Sequence, residues 1–153
     1  AEEPNIVAIK ESTTDTRRIT ELQSRFGSRF QIFCGVDDIA LESILLGATR
    51  WISGLTNVFP RESVMLFKLA RAGRIKEARE IYRWFMPLLR LDTIPTLVQC
   101  IKLAEQLLER GSENVRLPRL ALQGSERDYV EQVVAQALRT RPDLTSYQAL
   151  LAE

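Results

Sequence analysis

Lys10 stands at the end of an apolar run, Ile6-Val7-Ala8-Ile9, and is followed by Glu11-Ser12-Thr13. An amine held at the end of an apolar strand beside a cavity loses hydration, which disfavours the ammonium form and leaves a neutral nucleophile. Such an amine attacks a ketone and forms an imine. The protonated imine is an electron sink, so a bond beside it can break or form without metal or external cofactor. The competing reading is a lysine that ends its strand and snorkels into water, the commoner fate of this residue type. Period-two alternation places Ile6, Ala8 and Lys10 on one strand face and Val7 and Ile9 on the other, so Lys10 points into a barrel if Ala8 does.

Two more segments turn polar or glycine-rich where an apolar run ends: Cys34-Gly35-Val36-Asp37-Asp38 and Ser53-Gly54-Leu55-Thr56-Asn57. In parallel α/β folds ligands gather at the carboxyl ends of strands, where side chains leave the packed interior. The elements needed to put all three segments at one end are legible. Strands are expected at Ile6 to Ile9, Phe30 to Cys34 and Trp51 to Ser53. Helices are expected after each: Arg17 to Phe26 with Ile19, Leu22 and Phe26 on one face, a second carrying Ile39, Leu41, Ile44 and Leu45, and a third from Pro60 through Met65, Leu66, Leu69 and Ala70. Asp37 or Asp38 would cap the second of these helices. The pitch of roughly 20 to 25 residues fits parallel βα units of a (β/α)8 barrel. Three units do not close one, so the fold class is α/β, the C-terminal part of a TIM barrel.

Beyond Gly73 there is no strand signal. A helical stretch over residues 74 to 91 buries Ala78, Ile81, Tyr82, Phe85, Leu88 and Leu89, with a kink at Pro87. Pro95 opens another helix with Leu97, Val98, Ile101, Ala104 and Leu108 inward, closed by Gly111. Ser125-Glu126-Arg127-Asp128 resembles a capping box for a last helix carrying Tyr129, Val130, Val133, Val134, Ala137 and Leu138. The organisation is a partial barrel over residues 1–73, a helical region over 74–141 and a loosely held tail over 142–153. The chain opens without Met and enters a strand-like run within a few residues, as a segment cut from a longer polypeptide would.

Composition narrows the function. Of 153 residues, 45% are hydrophobic and the formal net charge is +1, with basic and acidic residues interspersed. A nucleic-acid binder needs clustered positive charge for phosphates, so that class is set aside. Cys34 and Cys100 lie in apolar contexts with no CxxC or Cys/His spacing, which points to neither a disulfide nor a metal site. The absence of any histidine removes a histidine general base. No apolar run reaches the roughly 20 residues a bilayer demands, and the start lacks signal-peptide character, so a cytoplasmic location is expected.

Ile6-Val7-Ala8-Ile9-Lys10-Glu11-Ser12-Thr13 resembles the lysine strand of the dihydrodipicolinate synthase and N-acetylneuraminate lyase family. Phe33-Cys34-Gly35-Val36-Asp37-Asp38 and Gly47-Ala48-Thr49-Arg50-Trp51-Ile52-Ser53-Gly54, with Asn57 and Pro60, follow in the family's order and at its separations. The resemblance spans about residues 5 to 72 and continues more loosely into the helices. It implies that Lys10 is the Schiff-base residue, that Gly35 offers backbone to the substrate, that Asp37 is a carboxylate or helix cap near the mouth, and that Ile52 and Ser53 supply wall and carbonyl opposite the lysine. Plainer readings stand beside these: a tight turn at Gly35, N-capping by Asp37 and Asp38, core packing for Ile52 and Cys34. The resemblance also implies a homotetramer, a small 2-oxo acid or imino acid as substrate, and no cofactor. The family's proton-handling tyrosine and paired-threonine carboxylate site belong to earlier strands without a counterpart here, so these residues alone are expected to be catalytically incompetent.

Within the family, Cys34-Gly35-Val36-Asp37-Asp38, Trp51-Ile52-Ser53-Gly54, Asn57-Val58-Phe59-Pro60, Tyr82-Arg83-Trp84-Phe85-Met86-Pro87-Leu88-Leu89, Leu97-Val98-Gln99-Cys100-Ile101-Lys102-Leu103-Ala104-Glu105 and Arg116-Leu117-Pro118-Arg119-Leu120 are together more similar to the 1-pyrroline-4-hydroxy-2-carboxylate deaminases of hydroxyproline breakdown. That reading implies an imine on Lys10 at the carboxylate-bearing ring carbon and release of ammonia and a 2-oxoglutarate semialdehyde. The alternative is a synthase condensing pyruvate with aspartate semialdehyde. A third, from a different class, is a non-catalytic scaffold of the same fold, against which the retention of Lys10 in its motif argues.

Overall fold

The computed structural model describes residues 3–150, with side chains through residue 148. Strands β1 (Ala8–Glu11), β2 (Gln31–Cys34) and β3 (Arg50–Trp51) form one parallel sheet in sequence order. Helices α1 (Arg17–Phe26), α2 (Ala40–Leu45) and α3 (Pro60–Arg71) follow the strands in turn, and α4 (Ile75–Leu89), α5 (Leu97–Leu107), α6 (Gly124–Arg139) and α7 (Thr145–Leu150) complete the chain. A three-stranded parallel sheet with crossover helices is what part of a barrel provides.

β1 begins two residues later than its apolar run. Pairing starts at Ala8 opposite Gln31 and runs to Glu11 opposite Cys34, and Ile6 and Val7, ahead of it, are exposed. The strand therefore takes in Lys10 and Glu11. β3 is only Arg50–Trp51, one residue earlier and shorter than expected. Among the helices, Leu45 is exposed at the end of α2, and Tyr129 and Leu138 are exposed on α6 although their spacing assigned them to the buried stripe. In α6 the side that meets the core is the narrow one formed by buried Val130, Val134 and Ala137, with Val133 half-buried beside them.

Helix boundaries also moved. α4 contains Pro87 and ends at Leu89, two residues beyond it, where a 3-10 turn over Arg90–Asp92 takes over. The ring removes the N–H that would bond the Arg83 carbonyl, so one helical bond is lost shortly before the helix ends. α5 starts at Leu97, two residues after Pro95. The capping box does not form: Gln123 is the N-cap of α6, without a side-chain cap bond, and Ser125 lies inside the first turn. The stretch from residue 142, expected as a loose tail, forms α7 through Leu150, and Leu144 and Tyr147 pack on the core. Residues 151–153 of that expected tail lie outside the described residues.

Two clusters hold the molecule together. The smaller lies between the sheet, α1 and α2 and comprises Ile19, Ile32, Cys34, Ala40 and Ala48. The larger joins α2 and α3 to α4, α5 and α6 and is continuous across residue 73. Phe59, Trp84 and Phe85 meet inside it, Phe59 edge-on to both other rings. The Trp84 indole N–H donates to the Ala137 carbonyl at 3.1 Å and fixes α6 on α4. The helical appendix thus buries the outer faces of α2 and α3, which a three-stranded sheet alone would leave wet.

A carboxyl on α3 is enclosed beside this core. Glu62, on α3, is 1% exposed, and Arg141 Nε donates to its Oε1 at 2.6 Å. The Arg141 guanidinium also lies 5.7 Å from the Phe59 ring centroid. A buried carboxylate deprived of a partner is costly. Arg141→Ala is expected to lower the unfolding free energy by about 2 kcal/mol, discounted for the partial exposure of the arginine. Urea denaturation followed by tryptophan fluorescence measures it, and an unchanged midpoint would contradict the expectation.

Candidate active site

Strand register decides where the lysine goes. Lys10 pairs with Phe33 and Glu11 with Cys34. Partners in a parallel ladder share a face, and Ile32 and Cys34 face α1 and α2 in the smaller core cluster. Lys10 and Phe33 therefore occupy the opposite face, turned away from those helices. Glu11, on the helix side, is buried, and its carboxylate accepts the Thr13 N–H at 2.9 Å. That bond turns the chain out of β1 directly after the lysine.

A cleft of about 740 Å³ opens at the carboxyl ends of the three strands. Lys10 lines it together with Gly35, Ile52 and Ser53, so four of the five residues singled out in the sequence share one cavity. Ser12 and Thr14 extend its rim beyond β1. Ile52 is 46% exposed, so it walls the cleft and is not core. The desolvation expected around Lys10 is not supplied by these residues, because the lysine itself is exposed on the open face.

Gly35 is needed for close approach. A Cβ there would collide with Ser12 Oγ and stand 2.5 Å from Lys10 Cε. Its N–H donates to the Glu11 carbonyl at 2.8 Å, extending the strand pairing by one step. The lysine stem therefore runs across the face of Gly35, and only hydrogen leaves it room.

Asp37 is the residue the structure reassigns. It neither lines the cleft nor caps a helix. It is 0% exposed, at the start of a 3-10 turn over Asp37–Ile39 whose N-cap is Val36. Its Oδ1 accepts from the Trp51 indole N–H at 3.0 Å, and its Oδ2 from the Ser53 hydroxyl at 2.8 Å and the Leu55 N–H at 3.1 Å. The carboxylate thus ties the end of β2 to the Ser53-Leu55 loop. Ser53 Oγ in turn accepts the Thr56 N–H at 3.1 Å, so its hydroxyl is engaged in loop structure. Asp37→Ala would orphan three donors, each worth about 1 kcal/mol or more when buried. A loss of roughly 3 kcal/mol in thermal or urea unfolding is expected, and a loss under about 0.5 kcal/mol would refute this role.

Tyr82 secures the same turn from outside. Its hydroxyl contacts the Asp38 carbonyl and lies 2.6 Å from Glu42 Oε2. Burial and the Glu42 carboxylate push its phenol far above the usual range, so it stays a neutral donor.

Asp92 was missed in the sequence. It ends the 3-10 turn after α4, more than eighty positions from Lys10, and no motif marks it. Folding brings it into the cleft wall beside Thr93 and Ile94. A Cβ on Gly54 would run into Asp92 Oδ1 and come within 2.6 Å of Ile101 Cδ1, so Gly54 makes space for that carboxyl. Burial, the neighbouring Asp37 charge and a hydrogen bond to Asp37 raise Asp92 to about 7, while Lys10 pulls the other way. Burial raises Asp37 as well, against its donors. Because three donors hold the charge on Asp37, the proton shared by the pair rests on Asp92.

The described residues contain no group of three or more His, Cys, Asp or Glu side chains placed to hold a metal ion, and no helix among them is long and apolar enough to cross a membrane. Cys34 and Cys100 are both buried and unpaired with each other, and burial raises both thiols.

The dihydrodipicolinate synthetase family profile matches residues 1–137. A protein of Acidobacterium capsulatum named 4-hydroxy-tetrahydrodipicolinate synthase is 31% identical over 133 residues, 87% of this chain and 44% of its own length. One of the same name from Aquifex aeolicus is 38% identical over 114 residues, 74% of this chain and 39% of its own. The crystal structure of dihydrodipicolinate synthase from Aquifex aeolicus superposes with a TM-score of 0.82 at 33% identity, over 88% of this chain and 46% of that one. The chain spans less than half the length of the relatives it matches. With the profile covering most of its residues and a solved relative sharing its backbone, the chain belongs to the dihydrodipicolinate synthetase family.

Proposed function

We propose that this chain carries the Schiff-base lysine of an aldolase-type enzyme acting on a small 2-oxo acid, with Lys10 as the covalent nucleophile. The observation that carries the reading is the placement of Lys10 on the open face of β1, in one cleft with Gly35, Ile52 and Ser53. An amine there can attack a ketone, and the resulting cation draws electrons from a neighbouring bond. Gly35 leaves room for the lysine stem and Ile52 walls the cavity. Asp37 acts by holding the Ser53 loop in place and not by touching substrate.

The condensation of pyruvate with aspartate semialdehyde is the leading specific reaction. The relatives compared are named for the synthase, whereas the deaminase reading rests on similarity in short segments alone, 34–38, 51–54, 82–89 and 116–120 among them. A homotetrameric assembly and a cytoplasmic setting belong to the same reading by family resemblance. The test is to supply the full polypeptide that carries residues 1–153 with pyruvate and aspartate semialdehyde, and separately with the hydroxylated pyrroline carboxylate. Pyruvate consumption in the first mixture supports the synthase. Ammonia release in the second alone would replace it by the deaminase, and inertness in both would leave the scaffold.

A further inference from the structure

The cleft holds a second ionisable side chain with the chemistry that imine formation needs. Asp92 lies in the wall of the cavity that Lys10 lines, half-buried, on a turn that packs against the Asp37–Ile39 turn. Gly54 backs its carboxyl and Asp37 lies behind it, held by the Trp51, Ser53 and Leu55 donors. A carboxyl placed only to end a helix would not need a glycine cleared for it or a fully buried carboxylate at its back.

Resting on the Schiff-base reading above, we infer that Asp92 is a catalytic acid–base residue of the Lys10 site, supplying and recovering the proton that makes and unmakes the imine. The neutral Lys10 amine adds to the ketone carbon, and a proton passes from nitrogen to oxygen to give a carbinolamine. Asp92, in its acid form, gives its proton to the carbinolamine hydroxyl. The carbon–oxygen bond breaks, water departs, and the nitrogen lone pair closes the carbon–nitrogen double bond. The product is a cationic imine beside a new Asp92 carboxylate, so the proton given up also creates the counter-charge. Hydrolysis runs the same steps backwards, with Asp92 recovering its proton as water adds. The charged groups facing Asp92 are Asp37, Asp38 and Lys10. The two carboxylates favour the acid form, and the lysine favours its loss once the site is cationic.

The experiment is single-turnover trapping of pyruvate on Lys10 with borohydride in the full polypeptide, read by mass spectrometry between pH 5 and pH 9. The wild-type rate is expected to contain a limb that falls as pH rises through about 7, where Asp92 loses its proton. Asp92→Asn, which keeps shape and loses the acid, is expected to trap about a hundredfold more slowly and to lack that limb. Asp92→Glu should recover part of the rate, which a merely structural role would not predict. Asp92→Ser serves if the asparagine variant fails to fold by circular dichroism, with the same loss of rate and limb expected. Wild-type rates and an unchanged pH profile in a folded Asp92 variant would overturn the inference while leaving Lys10 chemistry intact. Absence of any wild-type adduct would overturn the Schiff-base reading, and this inference with it.

Discussion

Lys10→Ala, in the full polypeptide, is expected to reduce turnover of a 2-oxo acid by a factor on the order of 10⁴ or more and to abolish borohydride-dependent inactivation. The effect is large because the imine nitrogen is a participant in the bond changes and not an aid to them. Among the described residues no other lysine lines the cleft. The fold should be indifferent. Lys10 is exposed on the open face of β1, and its ladder bonds are backbone bonds that alanine also makes. Lys10→Arg is the sharper control, because it keeps the positive charge and length while a guanidinium remains protonated and cannot attack. Steady-state kinetics with matched circular dichroism spectra check both variants. Residual activity above about 1% of wild type in a clean preparation would contradict nucleophilic catalysis by this residue.

Gly35→Val carries the next largest effect. A Cβ at this position already meets Ser12 Oγ and Lys10 Cε, and a branched side chain would take the volume in which the amine must swing toward substrate. The obstructed atoms are ends of flexible side chains, so the strand can survive while the lysine is displaced. Misplacing a reacting atom by about an ångström costs roughly a hundredfold. With cleft volume lost as well, a decrease of about 10³ in the rate of adduct formation is expected. Gly35→Ala should fall between the two. If Gly35→Val forms the adduct at the wild-type rate, the packing of Lys10 against Gly35 is irrelevant to function, and that part of the account is wrong.

Lys10 and its neighbourhood were readable because strand geometry is local. Alternation fixes which side chains share a face, and the polar residues that follow each apolar run mark where strands open into loops. Those signals mark Lys10, Gly35 and Ser53 at strand ends, the family resemblance adds Ile52, and the four line one cavity. Asp37 shows the limit of that reasoning. An acidic pair ahead of an apolar helical run has the appearance of a cap or a ligand, but the Trp51, Ser53 and Leu55 donors that claim it come from a different βα unit. Asp92 lies further out of reach. Its place in the cleft depends on how the helical appendix docks, which side-chain spacing along α4 does not disclose.

The helical region was legible in its inward positions and less so at its ends. Ala78, Ile81, Tyr82, Phe85, Leu88 and Leu89 are buried as their spacing requires. Tyr129 and Leu138 are exposed because α6 meets the core along a narrow face of Val130, Val133, Val134 and Ala137, and periodicity cannot tell a wide buried face from a narrow one. The subfamily preference draws on short segments at the strand ends and in the helices, which family members share, whereas the relatives compared by sequence and backbone carry the synthase name.

The most direct measurement is peptide mapping after reduction in the presence of substrate. The full polypeptide is mixed with pyruvate, treated with borohydride, digested, and each lysine-containing peptide weighed. One stoichiometric pyruvyl adduct is expected, on the peptide containing Lys10, absent when either pyruvate or borohydride is omitted. An adduct spread over surface lysines, or none on Lys10 at saturating pyruvate, would contradict it.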